Sequence, residues 1–274
     1  MSDAYDLDSG PDPAAFAASA PEPELTVDSG SNSGPASLPT PVHAVGIGPG
    51  NLEYLTPRGQ RAIDEAEVLL GFETVIDLVC GTAERSDTDL LACGYRDEGK
   101  ALSAFANRVA SGECGTAVLM GDPNFSGYQF LGKVQRAVEN PVRVVPGISS
   151  LQIAASRART PMESSSFVTL HKSGAIESDL DRLRGAVGER HLLVLPRPYD
   201  WMPGDIAAAL LAAGASESLE ALVFEELTHE EERVARTTLS DLASHAGGTG
   251  PDATPFSDLS VLVVRSEQRS SDRS

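Results

Sequence analysis

Short apolar runs alternate with amphipathic stretches from residue 42 to residue 264. Val42 to Ile47 reads as a buried strand. Thr56 followed by Pro57 marks a helix start, because a threonine hydroxyl can accept from a first-turn amide and proline suits the first helical position. That helix is expected over Pro57 to Ala66, and a second strand over Val68 to Leu70. The rhythm continues with a helix over Lys100 to Ser111, a strand over Thr116 to Met120, a helix over Tyr128 to Val138, a strand over Val142 to Val145 and a helix over Ser150 to Ala158. Such alternation predicts an α/β fold whose first sheet is mostly parallel and carries helices on its faces.

Arg159, Thr160 and Pro161 interrupt the rhythm, and a domain boundary is expected there, dividing residues 42–160 from a second α/β domain, 161–265. In the second domain strands are expected over Phe167 to Leu170 and His191 to Leu195, and helices over Asp179 to Val187 and Gly204 to Ala213, the latter stopped by Gly214. Its closing part reads as antiparallel, with strands over Leu219 to Phe224, Arg233 to Thr237 and Leu259 to Val264. A short helix over Leu239 to Ser244 and a Gly/Pro loop at 247–255 complete the sheet, so the second sheet is expected to be mixed.

Composition changes the picture at the ends. Residues 1–41 hold seven prolines and seven acids with no Lys or Arg. Too little apolar surface is available there to offset the entropy of ordering, so a disordered acidic tail is expected. Residues 266–274 are expected to form a flexible tail. The chain of 274 residues carries a net charge of −19, and −12 remains once the seven acids of the tail are set aside. That balance disfavours a nucleic-acid binder and predicts an acidic, carboxylate-solvated surface, as in proteins of high-salt cytoplasm. The sequence has no apolar run of membrane-spanning length, and its acidic start lacks the bases of a signal peptide, so a cytoplasmic location is expected. Cys80, Cys93 and Cys114 form no CxxC pair; they read as buried free thiols, and no metal site is indicated.

Three segments at predicted strand ends could carry chemistry. Gly46-Ile47-Gly48-Pro49-Gly50 permits a tight turn and close approach of a ligand to main chain. A dinucleotide fingerprint would need glycine at position 51, which is Asn51, and Pro49 lacks an amide donor, so the nicotinamide reading is weak. Gly121-Asp122-Pro123-Asn124-Phe125-Ser126-Gly127 follows another buried strand; it builds either a turn or a ligand loop, because ligands in open α/β sheets sit beyond the carboxyl ends of strands. In Pro146-Gly147-Ile148-Ser149-Ser150 the serines either cap the next helix or hold a ligand carboxylate or ribose.

Taken in order, VGIGPGNLEYLT (45–56), MGDPNFSG (120–127) and VPGISSLQIAASR (145–157) resemble the tetrapyrrole methylases, which methylate porphyrin and corrin precursors with S-adenosylmethionine. TLHKSG (169–174), LVLPRPYDWMP (193–203) and VFEELTHEEERV (223–234) are similar to the cobalt-precorrin-7 C5-methyltransferase branch of cobalamin biosynthesis. The resemblance covers residues 42–264. It implies two α/β domains, with the methyl donor S-adenosylmethionine in the cleft between them, and a homodimer. Carried over, the donor site would draw on Ile47, Gly48, Pro49, Gly121, Asp122, Phe125, Ser149, Ser150, Leu195 and Glu225. The branch often has glycine at the position of Lys172 and asparagine at that of Glu226, so the chain departs from it there. Some relatives carry a second methyltransferase domain for C15 methylation and decarboxylation; this chain is expected to perform only the C5 step, with a separate partner enzyme doing the rest.

Methyl transfer from a sulfonium to an electron-rich ring carbon needs alignment more than a strong base. His171 is the one candidate for touching substrate or accepting a proton, against a plain role as a local hydrogen-bond partner. A polycarboxylate corrin must find local cations on so acidic a protein, and Arg157, Arg159, Lys172 and Arg197 are the candidates. Glu230, Glu231 and Glu232 read as a solvated turn. Rival readings are a diphthine synthase-like methyltransferase acting on a protein, a nucleotide-binding oxidoreductase and a non-catalytic binding protein.

Overall fold

The computed structural model describes residues 40–80, 88–125, 127–247 and 250–267. By its internal contacts the chain divides into two compact units, one of residues 40–47 and 55–147 and one of residues 48–54 and 148–267.

The first unit is a sheet of five parallel strands: β1 (Val42–Gly46), β2 (Val68–Phe72), β3 (Asp89–Cys93), β4 (Gly115–Leu119) and β5 (Val142–Val145). They lie in the order β3-β2-β4-β1-β5. Alternate strand residues go to opposite faces. Val42, Ala44, Val68, Leu70, Ala117 and Leu119 meet α3 (Glu98–Ala110) and α4 (Tyr128–Ala137) through Leu102, Phe105, Val109, Phe130, Leu131 and Val134. The remaining helices are α1 (Pro57–Asp64), whose buried residues include Ile63, and α2 (Glu73–Cys80), which buries Val75, Ile76 and Val79. Thr56 caps α1 as the sequence predicts, accepting from the Gly59 amide at 3.0 Å with Pro57 in the first turn.

The second unit holds β6 (Ser165–Thr169), β7 (His191–Leu195), β8 (Glu220–Glu225), β9 (Arg233–Thr238) and β10 (Ser260–Val264) in the order β6-β7-β10-β8-β9. Only β6 and β7 pair in parallel. The others pair antiparallel, so this sheet is mixed. One face packs on α6 (Glu177–Ala186), α7 (Pro203–Ala212) and α8 (Leu239–Ala243), through Leu180, Leu183, Ile206, Leu210, Leu239 and Leu242. α5 (Ser150–Ala158) packs against β7 and β10.

Several expectations need correction. By internal contacts α5 groups with the second unit, whereas the sequence places the domain boundary at 160/161. The sequence rhythm groups α5 with the strand it follows, but its buried Leu151, Ala154, Ala155 and Ala158 face the second sheet. Of the cysteines, Cys93 alone is fully buried, with burial pushing its thiol up to about 11; Cys80 and Cys114 are half-buried. The start of the expected C-terminal tail is tied down: the Ser266 amide donates to His191 Nδ1 at 3.1 Å and that of Glu267 to the Gly188 carbonyl at 2.9 Å. The acidic tail through residue 39, Ser126 and residues 268–274 lie outside the described residues. Among the described residues no helix is long and apolar enough to cross a membrane.

Candidate functional site

β4, β1 and β5 are neighbours and run parallel, so the three glycine-bearing segments leave the same edge of the first sheet. This is the edge at which open α/β sheets bind ligands. The three segments touch main chain to main chain. The Ile47 amide donates to the Leu119 carbonyl at 2.9 Å. A Cβ on Gly46 would lie 2.5 Å from the Gly121 carbonyl oxygen and 2.7 Å from the Gly147 nitrogen. Only glycine lets the backbones come this close.

Asp122 joins two of these segments. Its Oδ1 accepts from the Asn124 amide at 2.8 Å and its Oδ2 from the Gly147 amide at 3.0 Å. The turn and ligand readings are therefore compatible: two amides fix the half-buried carboxylate, and each oxygen keeps acceptor capacity. Phe125 is half-buried in the same turn, its amide donating to the Asp122 carbonyl at 3.1 Å. Ile47 is fully buried, main chain included, with its amide taken by Leu119. Gly121 adopts φ 68°, which favours glycine.

The other residues singled out from the sequence lie in the second unit. Ser149 caps α5 in a capping box: its hydroxyl accepts from the Leu151 amide at 3.3 Å, and its own amide donates to Gln152 Oε1 at 2.8 Å. Ser150 is the first residue of that helix. Leu195 ends β7, its carbonyl accepting from the Leu170 amide at 2.8 Å. Glu225 ends β8 and is buried, its Oε1 accepting from the Ser257 amide at 2.7 Å and from Arg233 at 3.3 Å. Gly48 and Pro49 open the 48–54 segment, with Gly48 at φ 89° against Tyr54.

The four expected cations are all engaged or structural. Lys172 forms a buried ion pair with Asp179. The Arg197 guanidinium spans a loop, donating to the carbonyls of Leu170 at 3.3 Å and Gly174 at 2.7 Å and pairing with Asp200. Arg157 pairs with Glu232 at 3.0 Å. Arg159 is the left-handed C-cap of α5, at φ 56°. Lys172 and Arg197 thus hold their own loop together. The sequence showed their charge and not their partners.

His171 presents an exposed surface, while its amide donates to Thr169 Oγ1 at 3.2 Å. Enough protein surrounds the ring to push its pKa below the usual 6.5; Arg197 acts in the same direction and Asp258 opposes it. A histidine depressed in the folded state stabilises the fold above the unfolded pKa, and that stability is lost as pH falls through the lower folded value. Thermal melts are expected to weaken as pH drops below about 6.5, less steeply in His171→Asn. Equal slopes for the two proteins would remove His171 as a contributor.

One cluster escaped the sequence reading. The Asn51 amide donates to Thr228 Oγ1 at 3.3 Å, and a Cβ on Gly50 would overlap the His229 ring. Glu230 and Glu231 are exposed as expected, but Glu232 is half-buried and carries the ion pair to Arg157. Its only mark in the sequence is its place at the end of an acidic run.

The nicotinamide reading fails on topology. A dinucleotide-binding sheet sets its first strand beside the second, whereas here β4 separates them. The glycine segment also leads into a 3₁₀ turn at Leu52–Tyr54, not into a helix whose N-terminus could face a pyrophosphate.

The family described as Tetrapyrrole (Corrin/Porphyrin) Methylases matches residues 41–243. A probable cobalt-precorrin-7 C(5)-methyltransferase of Methanocaldococcus jannaschii is 28% identical over 228 residues, 83% of this chain and 99% of that protein. The crystal structure of the methyltransferase CobJ superposes with a TM-score of 0.67 at 21% identity, covering 83% of this chain and 94% of CobJ. Uroporphyrin-III C-methyltransferase of Thermus thermophilus, solved with S-adenosylhomocysteine, gives a TM-score of 0.61 at 23% identity, covering 82% of this chain and 97% of the other.

Proposed function

The chain belongs to the tetrapyrrole (corrin/porphyrin) methylases, whose methyl donor is S-adenosylmethionine, and on that premise we propose that it methylates C5 of cobalt-precorrin-7 in cobalamin biosynthesis. The observation that carries the C5 assignment is the end-to-end match to the Methanocaldococcus jannaschii protein, which leaves 1% of that relative uncovered. The same reading includes a cytoplasmic homodimer and a separate enzyme for the C15 step.

The first sheet's edge fits such a donor. Adenosine presents amide-like edges and ribose hydroxyls, and what meets it here is glycine main chain beside a carboxylate already oriented by two amides. Asp122 would accept from ribose hydroxyls, and Gly46, Gly121 and Gly147 keep side chains out of the way. S-adenosylmethionine supplies an electrophilic methyl on a sulfonium, so the protein's task is to hold the acceptor carbon in line. Alignment of that kind contributes about 7–11 kcal/mol to a barrier. No side chain has to act as a nucleophile.

Incubation with labelled S-adenosylmethionine and cobalt-precorrin-7 is expected to place one methyl at C5, read by NMR of the corrin. Label at another ring carbon would keep the family and overturn the step. Transfer to a protein instead would overturn the substrate class.

A further inference from the structure

We infer that the turn 226–232, with Glu232 at its hub, positions the glycine segment 48–54, making Glu232 and Thr228 positioning residues for donor binding; this rests on the donor reading above. Two non-glycine residues in the turn adopt left-handed backbone: Glu226 at φ 51° and Thr228 at φ 73°. A β-branched residue in that region costs about 1–3 kcal/mol and persists only when its surroundings impose it. The imposing group is Glu232, whose Oε2 accepts from the Thr228 amide at 2.9 Å while its Oε1 accepts from Arg157 Nε at 3.0 Å. Burial pushes the Glu232 carboxyl up, but the hydrogen bonds from Arg157 and Thr228 prevail and hold it below the usual carboxylate range.

The imposed conformation matters because of what it presents. Thr228 Oγ1 accepts from the Asn51 amide at 3.3 Å, and the His229 ring occupies the space a side chain at position 50 would need. Arg157, in the last turn of α5, also interacts with Tyr54 at the far end of the segment. The segment that bears Gly48 and Pro49 is thus held at Asn51 and Tyr54 by Thr228 and Arg157, which converge on one carboxylate, while the His229 ring fills the space beside Gly50. Nothing in that network needs to touch the donor; it sets where Gly48 and Pro49 stand.

The test compares Glu232→Ala, Glu232→Gln and Thr228→Val with the wild type, reading S-adenosylhomocysteine affinity by calorimetry, the KM for each substrate, and Tm. Valine keeps the shape of threonine and removes only the acceptor. Glu232→Ala and Thr228→Val are expected to weaken S-adenosylhomocysteine about tenfold, about 1.4 kcal/mol, and to raise the donor KM while leaving the corrin KM in place. Glu232→Gln keeps an oxygen for the Thr228 amide and is expected to recover most of the affinity. Arg190→Ala, which loosens the start of β6 far along the chain from this network, is expected to lower Tm without changing the affinity. Unchanged affinity in Thr228→Val and either Glu232 variant overturns the inference, as does an equal loss in Arg190→Ala. If Glu232→Ala does not fold, Thr228→Val and Glu232→Gln decide alone. Wild-type protein that fails to bind S-adenosylhomocysteine overturns the donor reading itself, and the inference with it.

Discussion

Gly147→Ala is expected to destabilise the first unit by about 3 kcal/mol, the upper end of overpacking costs, and to abolish S-adenosylhomocysteine binding. A methyl at this position would sit on the Gly121 carbonyl oxygen and 2.7 Å from the carbonyl of Gly46. Where the obstructing atoms belong to a flexible side chain, a small shift relieves such a clash. Here they are main chain of Gly46, which ends β1 and pairs with Leu119, and of Gly121 just beyond β4, and moving Gly46 breaks strand pairing. The same shift would carry the Gly147 amide away from Asp122 Oδ2, freeing the carboxylate that the donor reading uses. Gly99→Ala and Gly185→Ala are the matched controls. Both glycines lie in helices with open space around them, so alanine should stabilise by up to about 1 kcal/mol. Urea melts and calorimetry on the three variants check the contrast. A Gly147→Ala protein as stable as its controls, with intact binding, would mean that these strand ends do not meet in solution as described.

How far the sequence disclosed this arrangement depends on where each element finds its partners. Elements buried on one face or two announce themselves: β5 and α5 are observed over Val142–Val145 and Ser150–Ala158, the bounds their apolar pattern predicts. The stretch between β2 and α3 did not. α2 follows Phe72 with no intervening turn residue, and Thr74, Val75, Ile76 and Val79 give it the composition of a strand. Among the described residues β3 pairs only with β2, so its Asp89, Leu90 and Ala92 are exposed and show no alternation to read. The site divides the same way. Glycines at strand ends are visible as motifs because their reason is local backbone geometry. The roles of Lys172, Arg197 and Glu232 are invisible because their partners lie elsewhere in the chain, and a charge alone does not say whether it faces water or another charge.

Lys172 is the sharpest case, and the second large effect is expected there. Read as a cation for a polycarboxylate substrate, it should on replacement raise the substrate KM and leave stability alone. The structure gives the opposite expectation. Its side chain is 7% exposed and that of Asp179 6%, and the two form an ion pair in the first turn of α6, beside the Leu170, Ile176 and Leu180 core. Attraction between such groups roughly offsets the cost of taking them out of water, so the pair as a whole adds little. Removing one partner leaves the other charge buried with that cost uncompensated, a loss of about 3–5 kcal/mol. Lys172→Met should therefore unfold the protein at markedly lower urea, as should Asp179→Leu, whereas the double variant, with apolar groups filling both places, should recover most of the stability. Arg182 lies 4.0 Å from Asp179 but is largely exposed, too far and too hydrated to replace the lysine. The double-mutant cycle separates the two readings: a substrate-binding lysine gives additive stability changes near zero and a KM effect that Asp179→Leu does not share, while a structural pair gives strong coupling in stability and a corrin KM that returns with the fold.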